Sequence, residues 1–267
     1  MGRLLKMTKK FLVVKDFKAI ANTIKNGLKQ RILGKSAYGN VIWKEASFEW
    51  YETNRNLDVL RDFKKYLNVK RKMIKTVLEV GCGAGVYPIK EKELFNGMEY
   101  TGNDFSENNI EYCKNHSDFN FIAGDFIKMD INQKYDLVYS HGVIDHVYDI
   151  DTFLLNLVKS CKKYAYITSY RGYFPDLDEH KMNWRDEDGC YYSDISIKQI
   201  ENLLLKNGFN KNQVTFRRIK NIQKHYPAIP KDVPPSSPRL SLESAVAPDG
   251  LPIPHETQLV IEIDKTA

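Results

Sequence analysis

The chain has 267 residues, 42% of them hydrophobic and 28% charged, enough to bury a core without disulfide or metal staples. Its four cysteines (Cys82, Cys113, Cys161, Cys190) are scattered with no C-x-x-C pair, which argues against a disulfide framework, and no metal site is expected. The longest early apolar run, residues 11–14, is too short for a signal-peptide core or a membrane span, so a cytoplasmic protein is expected.

Charge is unevenly spread. The whole chain has 40 Lys+Arg against 34 Asp+Glu, but residues 1–44 hold eleven of the bases and a single acid, Asp16. The body is therefore mildly acidic, and nucleic acid is not an expected partner. Within the basic arm, Val13, Phe17, Ile20, Ile24 and Leu28 recur at helical spacing with lysines between them. Such a helix either packs on the body or lies on an anionic membrane surface, the latter giving a peripheral contact through residues 1–34.

A second helix is expected over residues 48–67. Short apolar strands then alternate with helices: strands at 76–80, 98–103, 119–124, 135–140 and 164–169, one helix opening at Ser106 and another over 150–161. That alternation means βαβ units around a mainly parallel sheet. Ser196-Ile197-Lys198-Gln199 has the form of a capping box, opening a helix that Gly208 closes. Residues 213–219 and 258–263 are expected as an antiparallel pair at the sheet edge. Between them, residues 225–255 hold eight of the ten prolines, the composition of a long extended loop.

The strongest motif is Val77-Leu78-Glu79-Val80-Gly81-Cys82-Gly83-Ala84-Gly85. Glycines between a buried strand and a helix let a ligand approach the backbone at the carboxyl edge of the sheet; the alternative is a tight turn with no ligand. The spacing is G-x-G-x-G, whereas a dinucleotide fingerprint would need its third glycine at Val86. Glu79 would repel a pyrophosphate and suits a ligand that bears cationic groups.

This motif resembles the opening motif of the class I S-adenosylmethionine-dependent methyltransferases, acid-x-Gly-x-Gly-x-Gly after the first strand, and the resemblance continues in order to about residue 209. It implies an α/β, Rossmann-like, doubly wound seven-stranded sheet, mostly parallel with an antiparallel C-terminal strand and an N-terminal helical extension. The expected organisation is an arm over 1–45 and a methyltransferase domain over 46–267, with an acceptor-region insertion at 170–194 and the Pro-rich loop at 225–255. S-adenosyl-L-methionine is the implied cofactor, held by Glu79, Gly81, Cys82, Gly83 and Gly85. Asp104 and Phe105 take the places of the ribose acid and its apolar neighbour, suited to accepting two hydroxyl protons and covering a flat base. Asp125 and Phe126 resemble the adenine-side motif, Ser140 ends the strand that faces the methyl group, and Gly208-Phe209 matches the end of the last family helix. Trp43, Trp50 and Tyr51 are candidates to cover the cofactor.

A hydroxyl acceptor needs its proton removed. In the segment after the fourth strand, His141 and His146 are both candidate bases, and Asp145 is placed to orient either imidazole; His146 packing under the next helix is the alternative. This segment is Ser-His-Gly-Val where amine-directed relatives carry Asn/Asp-Pro-Pro-aromatic, which favours oxygen. His180, Trp184 and Arg185 are the acceptor-binding candidates, in a stretch rich in aromatic rings. The expected activity is methyl transfer to a small molecule or glycan, at a hydroxyl oxygen. An RNA or protein methyltransferase guided by the basic arm is the alternative. A nicotinamide oxidoreductase and a non-catalytic binding module rank below both.

Overall fold

A computed structural model of the protein describes residues 48, 51, 58–130, 132–185, 190–220 and 257–267. The basic arm, Trp43, Trp50 and the Pro-rich loop lie outside these residues.

Helix α1 (Asp58–Lys70) is followed by β1 (Thr76–Val80), a short α2 (Val86–Lys90), β2 (Glu99–Asp104), α3 (Glu107–His116), β3 (Asn120–Ala123) and β4 (Tyr135–His141). Next come α4 (Ile150–Ser160), β5 (Cys161–Ser169), a two-stranded hairpin of β6 (Trp184–Arg185) and β7 (Cys190–Tyr191), α5 (Ile197–Lys206), β8 (Val214–Lys220) and β9 (Thr257–Asp264). The main sheet has seven strands in the order β3-β2-β1-β4-β5-β9-β8. Strands β1 to β5 pair in parallel, and β9 runs antiparallel between β5 and β8. The expected C-terminal pair therefore forms, with β8 at the edge. The β6–β7 hairpin was not foreseen, because two-residue strands carry no periodicity to read.

The direction of strand order reverses between β1 and β4, and ligands of open α/β sheets bind outside the strand ends at such a point. Alternation along β1 sends Val77 and Glu79 toward one face and Leu78 and Val80 toward the other. The first face is packed by Phe63 and Leu67 of α1, Tyr87 of α2 and Phe95; the second by Phe153, Leu154 and Leu157 of α4 with Ile200 and Leu204 of α5. Helix α1 continues past the expected end at Leu67, because the Lys70 ammonium pairs with Asp264 at 3.0 Å and lies 4.0 Å above the Tyr164 ring. Strand β5 begins three residues early, at Cys161, where Lys265 Nζ donates to the carbonyls of Val158 and Cys161 and closes the helix–strand joint. The capping box at Ser196 is half formed. Ser196 Oγ accepts from the Gln199 amide at 3.0 Å, but the Ser196 N–H donates to His180 Nδ1, leaving the Gln199 side chain to hold the His180 N–H and Asp151.

Phe63 ties the first face together: its fully buried ring lies 4.5 Å from that of Tyr139, 5.2 Å from Tyr166 and 5.8 Å from Tyr87, centre to centre. Truncating it leaves a cavity where four elements meet. Phe63→Ala is expected to lower the unfolding free energy by about 3–5 kcal/mol, read from the urea midpoint.

Candidate active site

The loop after β1 is shaped by backbone conformations that side chains disfavour. Gly81, Gly83 and Gly85 all have left-handed φ (77°, 54° and 74°). The N–H groups of Gly81 and Cys82 both donate to the Asn103 carbonyl at the end of β2, at 2.8 and 2.9 Å. A Cβ at Gly81 would lie 2.3 Å from Val143 Cγ2, so the loop after β4 rests directly on the bare Gly81 backbone. The Cys82 thiol is turned into the core toward Gly102, leaving only its main chain at the loop surface.

Asp104 is buried at the end of β2. One carboxylate oxygen accepts the Gly83 N–H at 2.9 Å, and the other accepts the Ser106 N–H at 2.9 Å. Burial raises its pKa, against the pull of these donors. The Asn109 side chain is a third donor, which leaves the carboxylate one acceptor site for a ligand hydroxyl. Phe105 is half-buried beside it. Asp125 is half-buried, accepting from Tyr148 Oη at 2.8 Å and the Ile127 N–H at 3.1 Å. The Phe126 ring is instead buried against Phe153, 5.8 Å centre to centre, so only its backbone is near the sheet edge.

Under the loop, the buried Glu79 carboxylate accepts hydrogen bonds from two neutral phenols, Tyr100 and Tyr139 (2.8 Å for the latter). Burial pushes its pKa up to about 7.

Strand β4 delivers Ser140 and His141 to the same edge. Ser140 is fully buried, and its hydroxyl donates to the Val80 carbonyl at 2.8 Å, clamping the ends of β1 and β4 together. His141 points into an enclosure of rings: Phe63 at 4.6 Å, Tyr87 and Tyr139 at 5.4 Å, and Tyr166 at 5.8 Å. Its Nδ1 lies 3.2 Å from Thr168 Oγ1, while its Nε2 is buried with no hydrogen-bond partner. Burial pushes its pKa down to about 3, so the ring is neutral at physiological pH. The following Gly142 has φ 62°, and the Tyr170 ring occupies the space a Cβ would take, 1.7 Å away. Tyr51, a sequence candidate for the cover, is buried 6.2 Å from Tyr87, centre to centre.

The other histidine goes elsewhere. His146 Nδ1 donates to the Tyr191 carbonyl at 2.7 Å, and its ring meets Tyr192 edge-on at 4.7 Å, so it fastens the β6–β7 hairpin to the β4–α4 loop. Asp145 is fully buried and accepts from Ser169 Oγ and the Tyr170 N–H (2.8 Å); its carboxylate holds the end of β5 where orientation of an imidazole was expected. The acceptor candidates are not gathered in the enclosure. His180 is a buried strut, its Nδ1 accepting from Ser196 and its Nε2 3.4 Å from Asp151. Trp184 packs edge-on against Tyr191, and Arg185 pairs through its backbone with Cys190. Two open surface grooves lie away from the glycine loop. One, of about 530 Å³, is at the amino ends of β1–β4, and one, of about 780 Å³, runs along α4 and α5 beside His180. Among the described residues, no group of His, Cys, Asp and Glu could hold a metal, and no helix is long and apolar enough to cross a membrane.

A model of a methyltransferase domain matches residues 72–224, more than half the chain. The chain belongs to this family, the class I S-adenosylmethionine-dependent methyltransferases. It is 34% identical over 106 residues to a ubiquinone biosynthesis O-methyltransferase of Rickettsia conorii, covering 38% of this chain and 35% of that protein. The chain thus spans about a third of the curated relatives it matches. Two solved structures share the fold. Plantazolicin methyltransferase BpumL, in complex with a triazolic desmethylPZN analogue and S-adenosylhomocysteine, is 17% identical with a TM-score of 0.51, covering 92% of this chain and 98% of that one. Magnesium protoporphyrin IX methyltransferase from Synechocystis PCC 6803, with bound S-adenosylhomocysteine, is 14% identical with a TM-score of 0.50, covering 95% and 98%.

The family's cofactor is S-adenosylmethionine, and the residues present in this methyltransferase fit it. Three left-handed glycines present main chain at the sheet edge, Asp104 keeps an acceptor site for a ribose hydroxyl, and Glu79 is a buried carboxylate whose donors are neutral phenols. A cation entering beside Glu79 favours its ionised form. Because its folded pKa is raised, the carboxyl contributes stability that is present below about pH 4.5 and lost as pH rises to about 7, the range in which cation binding gains. The affinity ratio of S-adenosylmethionine to S-adenosylhomocysteine is expected to rise with pH through about 7 in the wild type, measured by calorimetry. In Glu79→Gln the ratio is expected to be smaller and flat with pH.

Proposed function

We propose that the protein is an S-adenosylmethionine-dependent methyltransferase that modifies a hydroxyl oxygen on a small aromatic acceptor, with His141 as the base. The observation that carries this reading is the buried, unpartnered Nε2 of His141 at the carboxyl end of β4. The naming of matched relatives as O-methyltransferases supports it.

S-adenosylmethionine supplies the methyl group on an electrophilic sulfonium, which keeps the bonding electron pair on sulfur as the acceptor takes the methyl. The Gly81–Gly85 backbone would hold its amino-acid portion, Asp104 its ribose hydroxyls and Asp125 its adenine amino group, with Phe105 against the base. With the Nδ1 proton on Thr168 Oγ1, His141 Nε2 bears the lone pair that accepts the hydroxyl proton. The rings around it exclude water, and Glu79 offsets positive charge from below. A base held to a pKa of about 3 is weak, so the gap it must bridge is smaller the more acidic the acceptor hydroxyl is. A phenolic hydroxyl, with an ordinary pKa of about 10, is far more acidic than that of a sugar, which favours an aromatic acceptor over a glycan.

Two substitutions separate binding from chemistry. Asp104→Ala is expected to weaken both S-adenosylmethionine and S-adenosylhomocysteine by tenfold or more, about 1.4 kcal/mol, in calorimetry. His141→Gln is expected to leave S-adenosylhomocysteine affinity within about twofold while lowering kcat on a phenolic acceptor by roughly 10²–10⁴. Full turnover by His141→Gln would remove the base assigned here.

A further inference from the structure

Among the described residues, five buried side-chain nitrogen or oxygen atoms have no hydrogen-bond partner, and two of them, Tyr87 Oη and His141 Nε2, belong to the same aromatic enclosure. The others are Nε2 of His180, at the α4–α5 junction, and the side-chain amide atoms of Gln258 in β9. Cores rarely leave such groups unpaired, and those that persist call for an explanation. Tyr87 stands two residues past Gly85, in the helix that the glycine loop opens. Its ring is fixed on three sides, edge-on to Phe63 (5.8 Å), Tyr51 (6.2 Å) and Tyr139 (6.2 Å), so packing determines its orientation without using its hydroxyl. The Tyr87 and His141 ring centres are 5.4 Å apart and tilted by 31°, yet the two polar atoms are not bonded to each other.

We infer that Tyr87 and His141 together hold the reacting hydroxyl of the acceptor, Tyr87 donating its phenolic proton to the acceptor oxygen and His141 Nε2 receiving the proton that oxygen gives up. The inference rests on the proposed O-methyl transfer and adds Tyr87 to it as a catalytic residue. A hydroxyl is a small group that both accepts and donates, so one such group satisfies both orphaned atoms at once. Burial raises the Tyr87 pKa, which keeps the phenol protonated as a donor. In the transfer the acceptor O–H bond breaks with its proton passing to Nε2. A lone pair of that oxygen forms the new bond to the methyl carbon, and the pair of the broken sulfur–carbon bond remains on sulfur. Tyr87 keeps its own proton and fixes the direction from which the oxygen attacks.

Tyr87→Phe removes one atom and keeps the ring, so folding and function can be read separately. The probe is catechol, titrated calorimetrically into the full chain saturated with S-adenosylhomocysteine, alongside thermal unfolding of both proteins. Tyr87→Phe is expected to melt at the wild-type temperature or above it, since an unpaired buried hydroxyl has gone, and to bind catechol at least tenfold more weakly. A purely structural hydroxyl would do the opposite, lowering the melting temperature and leaving catechol affinity unchanged. Wild-type catechol affinity in Tyr87→Phe, or no catechol binding by the wild type, would overturn the inference. Wild-type protein that binds catechol through Tyr87 yet transfers methyl to no hydroxyl compound would overturn the O-methyl reading and leave the hydroxyl site standing.

Discussion

The site depends on one close approach: the loops after β1 and β4 lie against each other with almost nothing between them. Ser140 bonds the end of β4 to the Val80 carbonyl, Val143 fills the space above the bare Gly81 Cα, and Tyr170 covers Gly142 in the same way. The last two contacts each rest on a glycine in left-handed conformation, and each would be broken by a single added Cβ. The result is a narrow sheet edge where β1, β4 and β5 bring the glycine backbone, His141 and Tyr170 together. Asp145 completes the arrangement by holding Ser169 and Tyr170, a fully buried carboxylate acting as a brace.

Burial moves Glu79 and His141 in opposite directions, and both shifts favour the neutral form: Glu79 up to about 7, His141 down to about 3. A cationic methyl donor reverses the balance for Glu79. On the proposed reaction, the positive charge that arrives with the donor ends on the imidazole, so the buried carboxylate faces one cation before transfer and one after it. The transfer itself therefore leaves the net charge of the enclosure unchanged. On the same proposal, the free energy held in the unpaired Tyr87 and His141 atoms, about 1–3 kcal/mol for each such group, would be recovered when a ligand hydroxyl reaches them.

The glycine loop, the parallel strands and the caps at Ser106 and Ser196 were legible in the sequence because each is a local pattern: apolar runs of period two, three spaced glycines, a hydroxyl before a helix. Asp104 could be placed because it closes β2 a fixed distance beyond the loop. The enclosure could not. Phe63, Tyr87, Tyr139, His141 and Tyr166 come from four separate elements, and nothing in the neighbourhood of Tyr87 distinguishes a core ring from one whose hydroxyl is left for a ligand. The same limit applies to Asp145, whose closeness to two histidines in sequence says nothing about the strand end it holds. Cys82 and Phe126 show a related limit: the motif marks their positions in the chain but does not tell that their side chains face the core, leaving only main chain for a ligand.

A crystal structure of the protein with S-adenosylhomocysteine tests the central claim most directly. The prediction is ribose hydroxyls on Asp104, the amino-acid portion along Gly81–Gly85, and the sulfur facing the Tyr87–His141 enclosure. A sulfur directed toward the His146 hairpin, with His141 still walled off by its aromatic neighbours, would contradict it.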